Sequence, residues 1–143
     1  MPTPSQGRFW WITALSALPR PGKSLRQNNL GAAEGFLPDV RLGVDPQVLL
    51  DTVSKSSGQS AALSILGPLI TSRDFSGDIV QLRVAAEDIG LVQEVAREAG
   101  VPLLLGNEMI RVFEDAIIMG LVEHGPGAIL LVLEELADNQ ASG

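Results

Sequence analysis

The sequence predicts an all-α chain of five to six helices joined by short loops. Three observations point there. Apolar residues make up 45% of the 143 residues and aromatics only 4%, so Leu, Val, Ile and Ala must build the core. Apolar positions recur at helical spacing over long stretches. No stretch alternates apolar and polar residues over useful length, and nothing reads as a hairpin. A chain of this size buries about 70% of its unfolded surface, enough for one helical core.

The first segment stands apart. Residues 1–33 carry Arg8, Arg20, Lys23 and Arg26 and no acid, whereas six basic and seventeen acidic residues lie from Glu34 onward. The segment also holds an apolar run, Phe9 to Leu18. That run is too short for a bilayer, which needs about 20 apolar residues. Behind Arg8 it has the length of a targeting core in residues 1–20; the plainer expectation is an atypical basic tail over residues 1–27. Pro19, Pro21 and Gly22 separate it from the helical pattern beyond. The expected divisions are 1–27, a helical domain over 28–138 and a tail over 139–143.

From Leu25 the pattern becomes helical: Leu25, Asn29, Ala32 and Ala33 share a face. Gly35 and Pro38 are expected to leave this helix short or kinked. Asp45-Pro46 is a strong start signal, an N-cap followed by proline at the first helical position. The helix it opens should run to Lys55 with Val48, Leu49 and Val53 inward, stopping at Ser56-Ser57-Gly58. A second short helix is expected from Ser60 to Ile70, bent at Gly67-Pro68. A turn-rich loop over 72–77 comes next.

A long helix is then expected from Asp78 to Ala99, with Leu82, Ala85, Ile89, Val92 and Ala96 as its stripe and Gly100 closing it. The next helix carries Met109, Val112, Phe113, Ala116 and Ile117 and ends at Gly120. The last runs from Gly127 to Ala137. It is apolar nearly all round between Ala128 and Leu133, which points to burial or to a subunit contact.

Much chemistry is excluded. The chain has no cysteine and one histidine, and its net charge is −7. Disulfides and thiolate ligands are ruled out, and an acidic chain is a poor partner for nucleic acid. His124 sits in a glycine-rich loop with no marked partner for a catalytic triad. Glu134, Glu135 and Asp138 cluster at a helix end, where a solvated face is expected rather than a metal site; no metal is assigned. A dinucleotide fingerprint needs G-x-G-x-x-G between a strand and a helix. The only G-x-G is Gly125-Pro126-Gly127, which reads as a turn.

The order of motifs carries more. Gly43-Val44-Asp45-Pro46 is followed by Ser56-Ser57-Gly58-Gln59-Ser60, then Asp74-Phe75-Ser76, then Glu87-Asp88-Ile89-Gly90-Leu91, then Ala96-Arg97-Glu98-Ala99-Gly100-Val101-Pro102-Leu103. In that order and spacing they resemble the C-terminal helical domain of the 3-hydroxyisobutyrate dehydrogenase family of β-hydroxyacid dehydrogenases, relatives of 6-phosphogluconate dehydrogenase. The resemblance covers about Asn28 to Ala137. It implies a domain that shapes the substrate pocket for a small hydroxy acid beside a Rossmann domain carrying NAD or NADP. It also implies a homo-oligomer contact and a cytoplasmic or mitochondrial setting.

Three departures accompany the resemblance. No Rossmann domain is legible, and 143 residues cannot hold both halves. The family motif K-x-x-N-N reads Leu25-Arg26-Gln27-Asn28-Asn29 here: Asn29 falls at the family's catalytic asparagine, but Leu25 falls at its catalytic lysine and cannot move a proton. The cofactor-binding Lys-Asp pair of the family reads Glu87-Asp88, with the lysine lost. Compared with the family, about two turns are missing between Asn29 and Glu34. The expectation is therefore an oxidoreductase-family domain that is not catalytic alone and does not bind NAD(P) alone. The alternative is a non-enzymatic helical oligomerisation or interaction module, self-associating through its last two helices.

Overall fold

The computed structural model describes residues 22–77 and 80–141, with side chains from residue 26 onward. The basic tail through residue 21, the side chain of Leu25 and Asp78 lie outside them. The described residues form six α-helices and no strand: α1 Gly22–Arg41, α2 Pro46–Val53, α3 Ala61–Ser72, α4 Leu82–Ala99, α5 Leu104–Ile118 and α6 Ile129–Ala141, the last entered through a 3₁₀ turn at Pro126–Ala128. No described helix is long and apolar enough to cross a membrane.

α1 is the axis of the fold and touches every other described helix. Leu30, Ala33 and Phe36 recur every three residues along it and are buried. Ala33, Leu66 of α3 and Val132 of α6 are wholly shielded from solvent and mark the centre of the core. A small residue at position 33 lets neighbouring helices approach the backbone of α1 closely.

Local chemistry starts and stops the helices. Asp45 Oδ1 accepts from the N–H groups of Gln47 at 2.8 Å and Val48 at 3.1 Å, capping α2 ahead of Pro46;. Ser60 Oγ accepts from Leu63 N–H at 3.0 Å and caps α3. Gln81 gives α4 no side-chain cap. Instead the N–H groups of Leu82 and Arg83 donate to the carbonyls of His124 at 2.8 Å and Val122 at 2.9 Å, so a distant loop satisfies the orphan donors;. α4 and α5 both end in Schellman turns, with Gly100 at φ 65° and Gly120 at φ 74° in the left-handed position;.

α3 ends in the same way with a different residue. Arg73 takes φ 52°, the only described non-glycine residue with positive φ. That conformation costs a residue with a Cβ about 1–2 kcal/mol. The guanidinium offsets part of it. Nη1 and Nη2 donate to Glu134 Oε1 and Oε2 at 2.8 and 3.0 Å, and the group lies 5.3 Å from the Phe75 ring centre. The hydrogen bond it donates to Glu134 raises the Arg73 pKa above its ordinary value. The pair ties the end of α3 to α6.

Several expectations need correction. Pro38 neither shortens nor ends α1, which runs on to Arg41. It falls in the last turns, and the carbonyl it leaves without a donor belongs to exposed Glu34, where water can serve it;. Val48 is 59% exposed while Leu50 is buried, because two residues of helix turn a side chain about 200° to the other face;. Ile117 is likewise half exposed beside buried Ala116. Val80 and Gln81 are not helical, so α4 starts later than expected. α3 continues through Gly67-Pro68. A Cβ on Gly67 would lie 2.3 Å from Leu50 Cδ1, so this glycine marks where α2 crosses α3 closely. The last helix, expected to be buried or at a subunit contact, is buried in the chain's own core through Ile129, Leu130, Val132 and Leu133.

These contacts set the expected response to substitution. Arg73→Gly should melt within about 1 kcal/mol of the parent, since it loses the ion pair and the strain together. Arg73→Ala keeps the strain and should be the less stable of the two; equal thermal midpoints would refute that account. Gly67→Ala should cost about 1–3 kcal/mol through overpacking against Leu50. Gly90→Ala, mid-helix with nothing within 4 Å, should stabilise by about 0.5–1 kcal/mol in the same melts;.

Candidate functional site

One face of α1 opens onto a cavity of about 230 Å³. Arg26 and Asn29 line it from α1, Ala85 from α4 and Phe113 from α5, with Ile65, Leu69 and Ile129 among the apolar walls. Three residues of helix bring side chains back to nearly the same face, so Arg26 and Asn29 stand together. Gln81, at the non-helical approach to α4, adds a third polar group.

Two loops built from backbone contacts form the rim. Gly125 N–H donates to the Phe75 carbonyl at 3.0 Å. A Cβ on Gly125 would lie 2.1 Å from the Ser76 carbonyl oxygen, and one on Gly77 would lie 2.2 Å from that of Glu123. Only glycine fits where these loops cross. Asp74 Oδ1 accepts from Ser76 N–H at 3.0 Å, closing an Asx turn;. Its bonds to the Ser76 backbone and hydroxyl hold the Asp74 carboxyl below the usual range.

Asn29 brings a buried polar atom with unfinished chemistry to the wall. Its Oδ1 is buried and accepts no hydrogen bond among the described residues. Leaving such an acceptor unsatisfied costs about 1–3 kcal/mol, which a ligand donor at that point would recover. Arg26 Nη2 donates to Asp88 Oδ2 at 2.5 Å, both side chains being about nine-tenths shielded, with 13% and 14% exposure. This ion pair joins α1 to α4 across 62 residues of sequence.

The structure thus brings Asn29, Asp88 and Arg26 to one region. It does not bring Glu87 there. One residue of helix turns Glu87 about 100° from Asp88, onto the exposed side of α4, where it meets Arg83 at 3.4 Å;. Leu25 belongs to α1 by its backbone. Arg26 is the residue that sequence reasoning missed. The signal for it is its spacing from Asn29, three residues on along the same helix.

The other candidates have structural occupations. His124 is exposed, and its carbonyl caps α4. Glu134 is held by Arg73, Asp138 pairs with Arg41, and Glu135 accepts from Asn139 at 3.3 Å. No cluster of metal-ligating side chains occurs among the described residues. Gly125-Pro126-Gly127 is the turn into α6, pressed against the Ser76 and Asp74 carbonyls rather than open to a phosphate.

Comparison with known proteins places this geometry. The family model described as NAD-binding of NADP-dependent 3-hydroxyisobutyrate dehydrogenase matches residues 26–130. The 2-(hydroxymethyl)glutarate dehydrogenase of Eubacterium barkeri is 30% identical over 117 residues, which are 81% of this chain and 38% of that enzyme. The fold matches a 3-hydroxyisobutyrate dehydrogenase from Salmonella typhimurium with a TM-score of 0.72 at 21% identity, covering 76% of this chain and 38% of that one. It also matches Psf3, solved in complex with NADP+ and 2-OPP, with a TM-score of 0.69 at 20% identity, over 83% of this chain and 40% of that one. The chain spans less than half the length of each. With a family model over most of its helices, the chain belongs to the 3-hydroxyisobutyrate dehydrogenase family of NAD(P)-dependent enzymes.

Proposed function

We propose that this chain is the helical, substrate-side domain of a β-hydroxyacid dehydrogenase, acting beside a Rossmann partner and inactive alone. One observation carries the reading. The buried side-chain oxygen of Asn29, at the position the resemblance assigns to the catalytic asparagine, lacks a donor, and Asn29 lines a small apolar cavity. A short hydroxy acid fits that chemistry: its hydroxyl donates to Asn29 Oδ1 while its carbon skeleton packs on Leu69, Phe113 and Ile129.

The described residues do not suit a dinucleotide. Holding a pyrophosphate takes clustered backbone donors or cations. Glu87 stands where the family places a lysine, Asp88 is engaged by Arg26, and the glycine pair at 125 and 127 is packed against carbonyls. Leucine at position 25 supplies no proton. Orientation of the substrate remains with this domain; proton transfer and the nicotinamide belong elsewhere.

A second reading, an oligomerisation or interaction module, is favoured by α5. Leu104, Leu105 and Ile118 are 80%, 75% and 81% exposed. Self-association through α5 fits these residues, whereas α6 spends its apolar face inside the chain.

Asn29→Leu separates function from stability. It should stabilise the isolated chain by about 1 kcal/mol, because an unsatisfied acceptor is replaced by an apolar group. It should also abolish the amide shifts that short 2- and 3-hydroxy acids induce at Ala85 and Phe113 in the parent. A less stable variant, or shifts that persist, would count against the assignment. Titration of NADH and NADPH followed by their fluorescence should show no saturable binding by this chain. Saturation at micromolar concentration would assign the cofactor to these helices after all.

A further inference from the structure

The wall of the cavity at Asn29 carries three polar side chains among its described residues, and two of them are engaged within the fold. The guanidinium of Arg26 is balanced by Asp88 at 2.5 Å, with both side chains largely shielded from solvent. Gln81 Oε1 accepts from Arg83 Nη2 at 3.2 Å. Asn29 Oδ1 accepts no hydrogen bond among the described residues. The described wall therefore offers a ligand one polar anchor, and its one cation already has its counter-ion.

The rest of that wall is hydrocarbon. Leu69, Leu82, Phe113 and Ile129 reach it from four different helices. Ile65 and Val80 line it too while remaining 51% and 45% exposed, so apolar side chains stand at its mouth. The cavity measures about 230 Å³. An apolar cavity of about 150 Å³ holds a benzene ring. The space thus exceeds what a methyl or hydroxymethyl substituent fills, and it suits a branched chain or single ring of about four to seven carbons. Charge narrows the choice further. A carboxylate or ammonium on the tail would enter hydrocarbon with no partner of opposite sign to meet it, which is strongly opposed. A neutral tail gains instead, about fourfold in affinity for each methylene taken out of water.

We propose that this cavity is the subsite for the tail of the substrate, and that it selects a hydroxy acid bearing one uncharged, branched-aliphatic or single-ring substituent. Ile65 and Val80 at the mouth and buried Phe113 set that preference. The head of the molecule rests on the hydroxy-acid reading of Asn29; the tail rests on the apolar wall alone.

Binding to the full chain tests this, followed by calorimetry and by the amide shifts of Ala85 and Phe113. Four ligands suffice: 3-hydroxybutyrate, 3-hydroxy-5-methylhexanoate with an isobutyl tail, 3-hydroxy-3-phenylpropanoate, and 3-hydroxyglutarate, whose carboxymethyl tail has the shape of isobutyl. The isobutyl and phenyl acids should bind about tenfold or more tighter than 3-hydroxybutyrate. The carboxymethyl acid should bind about tenfold or more weaker than its isobutyl counterpart. Val80→Lys and Ile65→Lys, each at a half-exposed position, should reverse that last preference while far-UV circular dichroism stays helical. Affinities that ignore the tail overturn the proposal; if Asn29→Leu still abolishes them, the hydroxy-acid reading stands without it. Tail dependence that survives Asn29→Leu upholds the subsite and removes the hydroxyl contact. A parent that prefers 3-hydroxyglutarate, or lysine variants that both keep the parent's preference, overturn the proposal, and no binding of any of the four overturns it together with the reading it rests on.

Discussion

Every other described helix packs on α1, and that single constraint shapes both the core and the site. One face of the helix must carry Leu30, Ala33 and Phe36 into the centre. A second must present Arg26 and Asn29 to the cavity. A third is left lined with glycine. A helix of about 3.6 residues per turn can serve three faces only if each uses few, closely spaced positions. A substitution on α1 therefore acts on several interfaces at once.

The Arg26–Asp88 pair shows the consequence. Taking two charges largely out of water costs free energy that their attraction only partly recovers. An apolar pair would hold α1 to α4 as firmly. The ion pair does something an apolar contact does not: it fixes the rotation of α1 against α4, and with it the direction in which Asn29 points. Removing one partner would leave the other charge shielded and alone, so the two residues stand or fall together.

Local features were legible in the sequence and relational ones were not. Asp45-Pro46 announces a helix start, and Gly100 and Gly120 announce ends, because capping is settled within a few residues. Asn29 was singled out by the motif order, and it lines the cavity. Arg26 was not, since its partner lies 62 residues away and no local pattern pairs them. The contact that Gly67 makes was not legible, because only the fold places Leu50 against it. The left-handed Arg73 was hidden for the same reason: glycine is the residue one looks for at such an ending, and the compensation comes from Glu134 on another helix.

The rim of the cavity explains how its shape can persist while exposed side chains around it vary. Its two loops are joined through backbone groups at Phe75 and Gly125, Val122 and His124 cap α4 with their carbonyls, and the crossing demands glycine at 77 and 125. None of these contacts involves Glu87, which meets Arg83 on the exposed side of α4. Substitution there therefore leaves the cavity walls, the caps of α4 and the placement of Asn29 as they are. The rim depends on main-chain contacts, so an exposed side chain beside it can change without the fold resisting.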